Sequence, residues 1–248
     1  MSDAALAWRQ FRLERRMFWR NPSAAFFSFI LPLLFLFLFG AIGSGDKATL
    51  KVIVPGIAGF SIMATTFNAL AMNITFLREQ GVLKRMRGTP LPTVSYLAGI
   101  LGNAAVNASI QLVIVVLASK LVFGLAWPAD LLVLVIFGAA GVVCMASLGV
   151  AFSHLIPNFD AAPAYTNIVF LPVIFISGVF YDVKNVPAFL HDIANVLPLV
   201  HIINGLKAGL VEGGGMTGHW DDLAVIALWA TLGIVFAVRG FAWESKRS

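Results

Sequence analysis

Histidine and cysteine side chains are where a sequence most often declares metal or covalent chemistry, and this chain has five: His154, His191, His201, His219 and a single Cys144. None falls in the H-E-x-x-H or C-x-x-C spacing that gathers ligands on one helix face or tight turn, so a metal site would need a long-range constellation. His191-Asp192 comes nearest to an acid/base pair, but adjacent positions on a helix point different ways, and a polar surface pair is the expectation. G-x-S-x-G is absent, and so is the G-x-x-x-x-G-K-[ST] phosphate cradle. The twelve acids avoid the centres of the apolar segments, where proton and ion relays place their carboxylates. The pattern disfavours an enzyme acting alone. What stands out is charge gathered at one point: "REQGVLKRMRGTPLP", Arg78 to Pro92, has five charges in its first ten positions.

The elements that must position this stretch are oily. Of 248 residues 59% are hydrophobic and 12% charged, with a mean hydropathy of +0.89, whereas soluble domains are about a quarter charged. Several runs reach the roughly 18 to 20 apolar residues that cross a ~30 Å hydrocarbon core. We therefore expect an all-α integral membrane protein, one domain over 1–248, with six transmembrane helices near 23–42, 52–77, 94–123, 131–156, 164–181 and 223–243. The third exceeds one crossing and should tilt or project. Residues 1–22 read as an amphipathic interface helix. Arg9, Arg12, Arg16 and Arg20 share one face, Leu6, Phe11, Leu13, Met17 and Phe18 lie on the other side, and Asn21-Pro22 ends the helix. The first apolar run reads as a retained span rather than a cleaved signal.

Lysine and arginine set the orientation. With the N-terminus cytoplasmic, twelve lie inside, in the lead, the Arg78 to Pro92 loop and the tail, against five outside, Lys47, Lys51, Lys120, Lys184 and Lys207. The positive-inside rule then places both termini and the charged loop in the cytoplasm. Membrane lipid, not nucleic acid, is the expected partner of these cations. Residues 182–220 are too apolar for a free loop, yet His191, Asp192, Asn195, His201 and Asn204 make a full crossing costly. Short re-entrant helices dipping into the outer leaflet reconcile the two.

Two polar faces interrupt the spans. Ser61, Thr65, Asn68 and Thr75 recur on one side of span two, and Asn103, Asn107 and Gln111 on one side of span three. They read equally as interhelical glue, about 0.6 to 2 kcal/mol per contact in membranes, or as a path for amphipathic cargo. Ala98-x-x-x-Gly102 and Ala104-x-x-x-Ala108 beside the second face permit close helix approach. The charged loop itself has helical spacing and is broken by Gly88-Thr89-Pro90-Leu91-Pro92. Clipped between two spans it reads as a lever, or else as a basic loop set by topology alone.

Arg78 to Pro92 resembles the signature cytoplasmic loop of the permease subunits of ABC-2 type exporters, roughly R-E-x-G-T-L-[EK]-R-L-x-x-[ST]-P-L, with Val82 standing where the family often has threonine. Arg20-Asn21-Pro22 is similar to the family's R-[ND]-P lead. "FLPVIFISGV" (170–179) resembles its fifth span, and "NVP" with "VLPLVHIINGLKA" its outer re-entrant region. Daunorubicin-resistance-type drug permeases are the nearest group, with nodulation lipo-oligosaccharide and polysaccharide permeases as relatives.

The resemblance implies a multi-pass permease of a bacterial plasma (inner) membrane, working as two permease chains, a homodimer or a pair with a similar chain, above two ATP-binding subunits. ATP and Mg would be bound by that partner and no cofactor by this chain. The loop between spans two and three would be a coupling helix, with Arg78, Glu79, Gly81, Leu83, Lys84, Arg85 and Arg87 as contact candidates and Thr89-Pro90 as its rigid exit. The lead helix (Arg9, Arg12, Arg16, Arg20) would pack beside the same groove, and the loop at 154–162 would add a minor contact. The expected cargo is a drug, lipid or lipid-linked glycan. Two other readings stay open: a transporter or channel driven by an ion gradient, and a membrane scaffold or sensor.

Overall fold

In a computed structural model, the described residues are 2–42, 46–88, 92–182 and 187–240, without the side chains at 23, 24, 27, 86, 87, 93 and 240. Every regular element among them is helical: α1 Asp3–Arg20, α2 Pro22–Ile42, α3 Lys47–Met63, a π-helical turn Ala64–Asn68, α4 Ala69–Glu79, α5 Val82–Arg87, α6 Thr93–Phe123, α7 Leu131–Phe152, α8 Ala162–Ile176, α9 Ala188–Val196, α10 Pro198–Lys207, a second π-helical turn Ala208–Glu212, and α11 Trp220–Gly240.

Four helices are long and apolar enough to cross a membrane: Lys47–Glu79, Val94–Phe123, Leu131–Phe152 and Trp220–Arg239. A fifth crossing is present only if the pair Ala188–Val196 and Pro198–Glu212, bent by 89°, counts as one span. Ser28–Ile42 and Ala162–Ile176 are shorter apolar helices. Several boundaries differ from the sequence expectation, and the second segment already starts at Lys47 rather than 52. The fourth segment stops at Phe152 rather than 156, and the fifth at Ile176 rather than 181, because Gly178 adopts φ 72° and turns the chain. At 15 residues, α8 reaches about 22 Å at 1.5 Å per residue, short of the ~30 Å core. The 31 residues of α6 reach about 46 Å, longer than one ~30 Å crossing needs.

The α3–α4 rod is the most enclosed candidate span. Its neighbours approach through glycines that leave no room for a side chain. A Cβ on Gly56 would fall 1.9 Å from the Val179 carbonyl oxygen, one on Gly149 of α7 2.6 Å from the Phe67 carbonyl oxygen in the first π-helical turn, and one on Gly59 2.6 Å from Ile203 of α10. Gly59 stands twelve residues along α3 from Lys47, about 18 Å at the α-helical rise. The hairpin α9–α10 therefore penetrates deeply against α3 and α7, where Gly141 meets Ile202 and Gly205 meets Phe137. Buried residues of α3, α7 and α10 form one core around Ile57, Phe60, Phe137, Ile202 and Leu206.

A polar latch ties this hairpin to α11. Asp222 Oδ1 lies 2.6 Å from His201 Nδ1 and accepts from Asn204 Nδ2 at 3.3 Å, Oδ2 lies 3.2 Å from His219 Nδ1, and His201 Nε2 lies 2.8 Å from the Asn195 carbonyl oxygen. Both ring nitrogens of His201 face acceptors, so the ring is fully satisfied only as a doubly protonated cation. Burial opposes that charge, but the hydrogen bonds to Asp222 and Asn195 outweigh it and raise its pKa above the ordinary 6.5. A raised folded pKa contributes stability that is complete below the unfolded value and lost as pH rises through the folded one. Protection of the α10 amides, taken relative to their base-catalysed intrinsic exchange rates, should fall as pH rises from about 6.5 into the alkaline range, and Asp222→Asn should flatten that dependence. An Asp222→Asn profile that keeps the wild-type slope would refute the latch.

Candidate functional site

The charged loop folds from its own sequence. Gln80 caps α4, Gly81 takes φ 65° with open space around it, and the Arg85 N–H bonds the Gly81 carbonyl, opening a helix of six residues. Only glycine adopts this turn without strain. Leu83 is fully buried in a cluster with Leu70, Ile74, Tyr96 and Ile100, so it anchors the helix and presents no surface to another protein. Lys84 and Arg85 point outward, and Arg85 Nη2 donates to the Gln80 carbonyl at 3.2 Å. The Arg87 side chain, Thr89 and Pro90 lie outside the described residues.

Arg78 faces inward, whereas the exposed Glu79 reaches across the surface to the loop after α7. The Arg78 guanidinium is buried and donates to the Ser153 carbonyl at 3.0 Å and to that of Ile156, while Glu79 Oε2 accepts from the Phe159 N–H. Phe76 meets Phe159 at 5.0 Å between ring centroids. These contacts staple the α4–α5 junction to the loop after α7, so a force on either is shared by both. A docking role for Arg78 could only be indirect. Beside them, His154 sits below its ordinary pKa because of burial, against a backbone contact with Ala237 that raises it.

The lead helix lies alongside the first half of α6: Ser95 Oγ donates to the Asp3 carbonyl, Gly99 abuts Gln10, and Arg15 donates to Asn107 Oδ1. Arg9, Arg12, Arg16 and Arg20 are all exposed, as the periodicity predicts. The other face departs from expectation. Leu13 and Met17 are exposed, joined by Trp8 and Trp19, while Gln10 and Glu14 are the buried residues, with Gln10 Nε2 donating to Glu14 Oε1 at 2.8 Å. The close approach at Gly99 selects the side that meets α6. Burial raises the Glu14 pKa, opposed by the Gln10 hydrogen bond.

The two polar faces come together only in part. Thr65, Asn103 and Asn107 line a cleft of about 580 Å³ between α1, α4 and α6, with Glu14, Asn73, Ser28, Phe18 and Phe76. Ser61 and Thr75 do not line it, and their buried hydroxyls donate to the Ile57 and Ala71 carbonyls of their own helix at 2.7 and 2.8 Å. Thr65 lines the cleft although its Oγ1 donates to the Ser61 carbonyl in the same way. Gln111 instead reaches the Phe29 carbonyl of α2 at 3.4 Å. Asn68 Oδ1 and Asn103 Oδ1 are buried without a hydrogen-bond partner. Ala104 and Ala108 are buried as close-packing positions, whereas Ala98 is exposed. Glu14 and Asn73 were missed by the sequence reading. The signal was there in the first: Gln10 and Glu14, four apart, interrupt the apolar side of the lead helix. No group of His, Cys, Asp or Glu among the described residues could hold a metal ion.

The family model for the ABC-2 type transporter matches residues 4–211. The chain belongs to the ABC-2 type transporter family. It is similar to Nodulation protein J of Sinorhizobium fredii (strain NBRC 101917 / NGR234), 28% identical over 69% of this chain and 66% of that protein. It is also similar to the Daunorubicin resistance ABC transporter permease protein DrrB1 of Streptomyces coeruleorubidus, 26% identical over 84% of this chain and 75% of the relative. A third relative, the Inner membrane transport permease YadH of Escherichia coli (strain K12), is 27% identical over 72% of each chain. As an ABC-2 permease the chain is the membrane subunit of a transporter, with ATP binding implied for a partner.

Proposed function

We propose that this ABC-2 permease pairs with a second permease copy above two ATP-binding subunits and moves a hydrophobic or amphipathic molecule outward across a bacterial inner membrane. In this reading α2, α3–α4, α6, α7, α8 and α11 are six spans, α9–α10 is an outer re-entrant hairpin, and both termini are cytoplasmic. ATP and Mg reside in the partner. The observation that carries the reading is the mounting of α5. Leu83 anchors it, Gly81 frees its entry, Arg78 and Glu79 tie it to the second inner loop, and Lys84 and Arg85 face out. A closing ATPase pushing on that surface moves α4, α6 and the end of α7 together, the coupling of a remote effector site to a two-state element.

Charge reversal at Arg85 tests it. Arg85→Glu is expected to lower substrate-stimulated ATP hydrolysis and transport about fivefold or more, the scale of an interdomain coupling energy, with expression and membrane insertion unchanged. Glu79→Gln should act in the same direction through the Phe159 tie. Wild-type transport in both variants at equal expression would overturn the proposal. Dissipating the ion gradient with ATP retained is expected to leave transport intact, and its collapse would favour the gradient-driven reading.

A further inference from the structure

The inner cleft is sized for a small amphiphile, and its chemistry is one-sided. At about 580 Å³ it falls in the range of roughly 300 to 1,000 Å³ typical of small-molecule sites. Phe18 and Phe76 supply apolar walls. Among the described lining residues the one formal charge is the Glu14 carboxylate, joined by Asn103, whose Oδ1 has no hydrogen-bond partner.

Among the described residues no ion pair reaches it: Gln10 is the hydrogen-bond donor to Glu14, and Arg15 donates to Asn107 Oδ1 and stands 5.7 Å over the Trp19 ring. The other lead-helix arginines occupy the exposed face. A buried carboxylate with no cation opposite is costly to keep charged, and a ligand cation supplies the missing partner. Aromatic walls reinforce the same sign, since ring faces attract cations. We propose that this cleft is the loading site of the permease and takes an amphiphile with a positively charged head, held between Glu14, Asn103 Oδ1 and the rings of Phe18 and Phe76. This rests on the exporter reading and adds the class of substrate.

Tetraphenylphosphonium and tetraphenylborate, ions of similar shape and opposite charge, provide the test. Binding of each to the full-length permease in lipid nanodiscs is measured by equilibrium dialysis, with protein-free nanodiscs subtracted. The wild type should prefer the cation, and Glu14→Gln should weaken cation binding about tenfold or more, the loss expected for a charge-assisted contact, while leaving the borate no worse bound. Asn103→Leu, which removes an acceptor at similar size, should weaken the cation in the same direction and serves if Glu14→Gln does not fold. Equal affinity of the wild type for both ions, or unchanged cation preference in the folded variants, overturns the proposal. Stimulation of the partner ATPase by the wild-type permease is measured in parallel. Stimulation without Glu14-dependent binding removes this site and leaves the exporter reading standing, whereas no stimulation removes the exporter reading itself.

Discussion

Arg78→Met is expected to destabilise the protein by about 3 kcal/mol, because it strips the donor from two carbonyls that the buried guanidinium satisfies and leaves them unpaired. The carbonyls are those of Ser153 and Ile156, just past the end of α7. Methionine fills similar volume, so the loss isolates hydrogen bonding from packing. Thermal unfolding of the purified protein should shift down, and amide exchange across residues 153–159 should rise more than exchange in α3. Arg78→Lys should recover only part of the loss, since an ammonium does not span two carbonyls with the guanidinium's fixed fork. Unchanged melting together with unchanged exchange in the loop after α7 would show that the staple carries no energy. Because that loop and the α4–α5 junction are joined there, Arg78→Met should also blunt ATP-driven transport without altering Lys84 or Arg85, the exposed residues.

Gly56→Ala should be the most damaging single methyl group in the chain. The added Cβ would stand 1.9 Å from the Val179 carbonyl oxygen and 2.7 Å from its carbon. Those are backbone atoms, so no rotamer change relieves the clash. Either α3 must withdraw or the turn after α8, set by Gly178 at φ 72°, must shift. Overpacking of this kind costs about 1 to 3 kcal/mol and sometimes more. The expected result is a lower yield of folded protein and a clear drop in melting temperature. Gly138→Ala is the matched control: its Cβ would meet only Leu112 Cδ2 at 3.4 Å, ordinary contact with a flexible side-chain tip. Equal stability of the two variants would contradict the close approach of α3 to the 177–180 turn.

Legibility from the sequence followed the range of the interactions. The lead helix, the long apolar segments and the outward arginines of the lead helix are local matters of period and length, and they emerge at or near their expected residues, whereas the helical spacing expected through the charged loop is interrupted by the turn at Gly81, which glycine's dihedral freedom permits. The polar strips were legible as strips but not as a site. A threonine hydroxyl in a helix has its own carbonyl four residues back within reach, and Ser61 and Thr75 take that option. The same spacing therefore describes a cavity lining and a satisfied helix. Leu83 and Arg78 illustrate the converse. Their residue types suited a docking surface, yet packing against α6 and the loop after α7 buries both.

The sequence by itself determined that this is a helical membrane protein without catalytic spacing of its own, and it carried the motif that marks the ABC-2 family. Tertiary structure alone decided that Gln10 and Glu14 face the protein while Leu13 and Met17 of the apolar side stay exposed, and that Thr65, Asn103 and Asn107 share a cleft with that carboxylate. It also decided that His201, Asp222 and His219 meet at the α10–α11 junction. The reason is physical. Periodicity fixes which residues share a face of one helix, whereas the face that meets a neighbour depends on where glycines such as Gly56, Gly99 and Gly149 let two backbones approach.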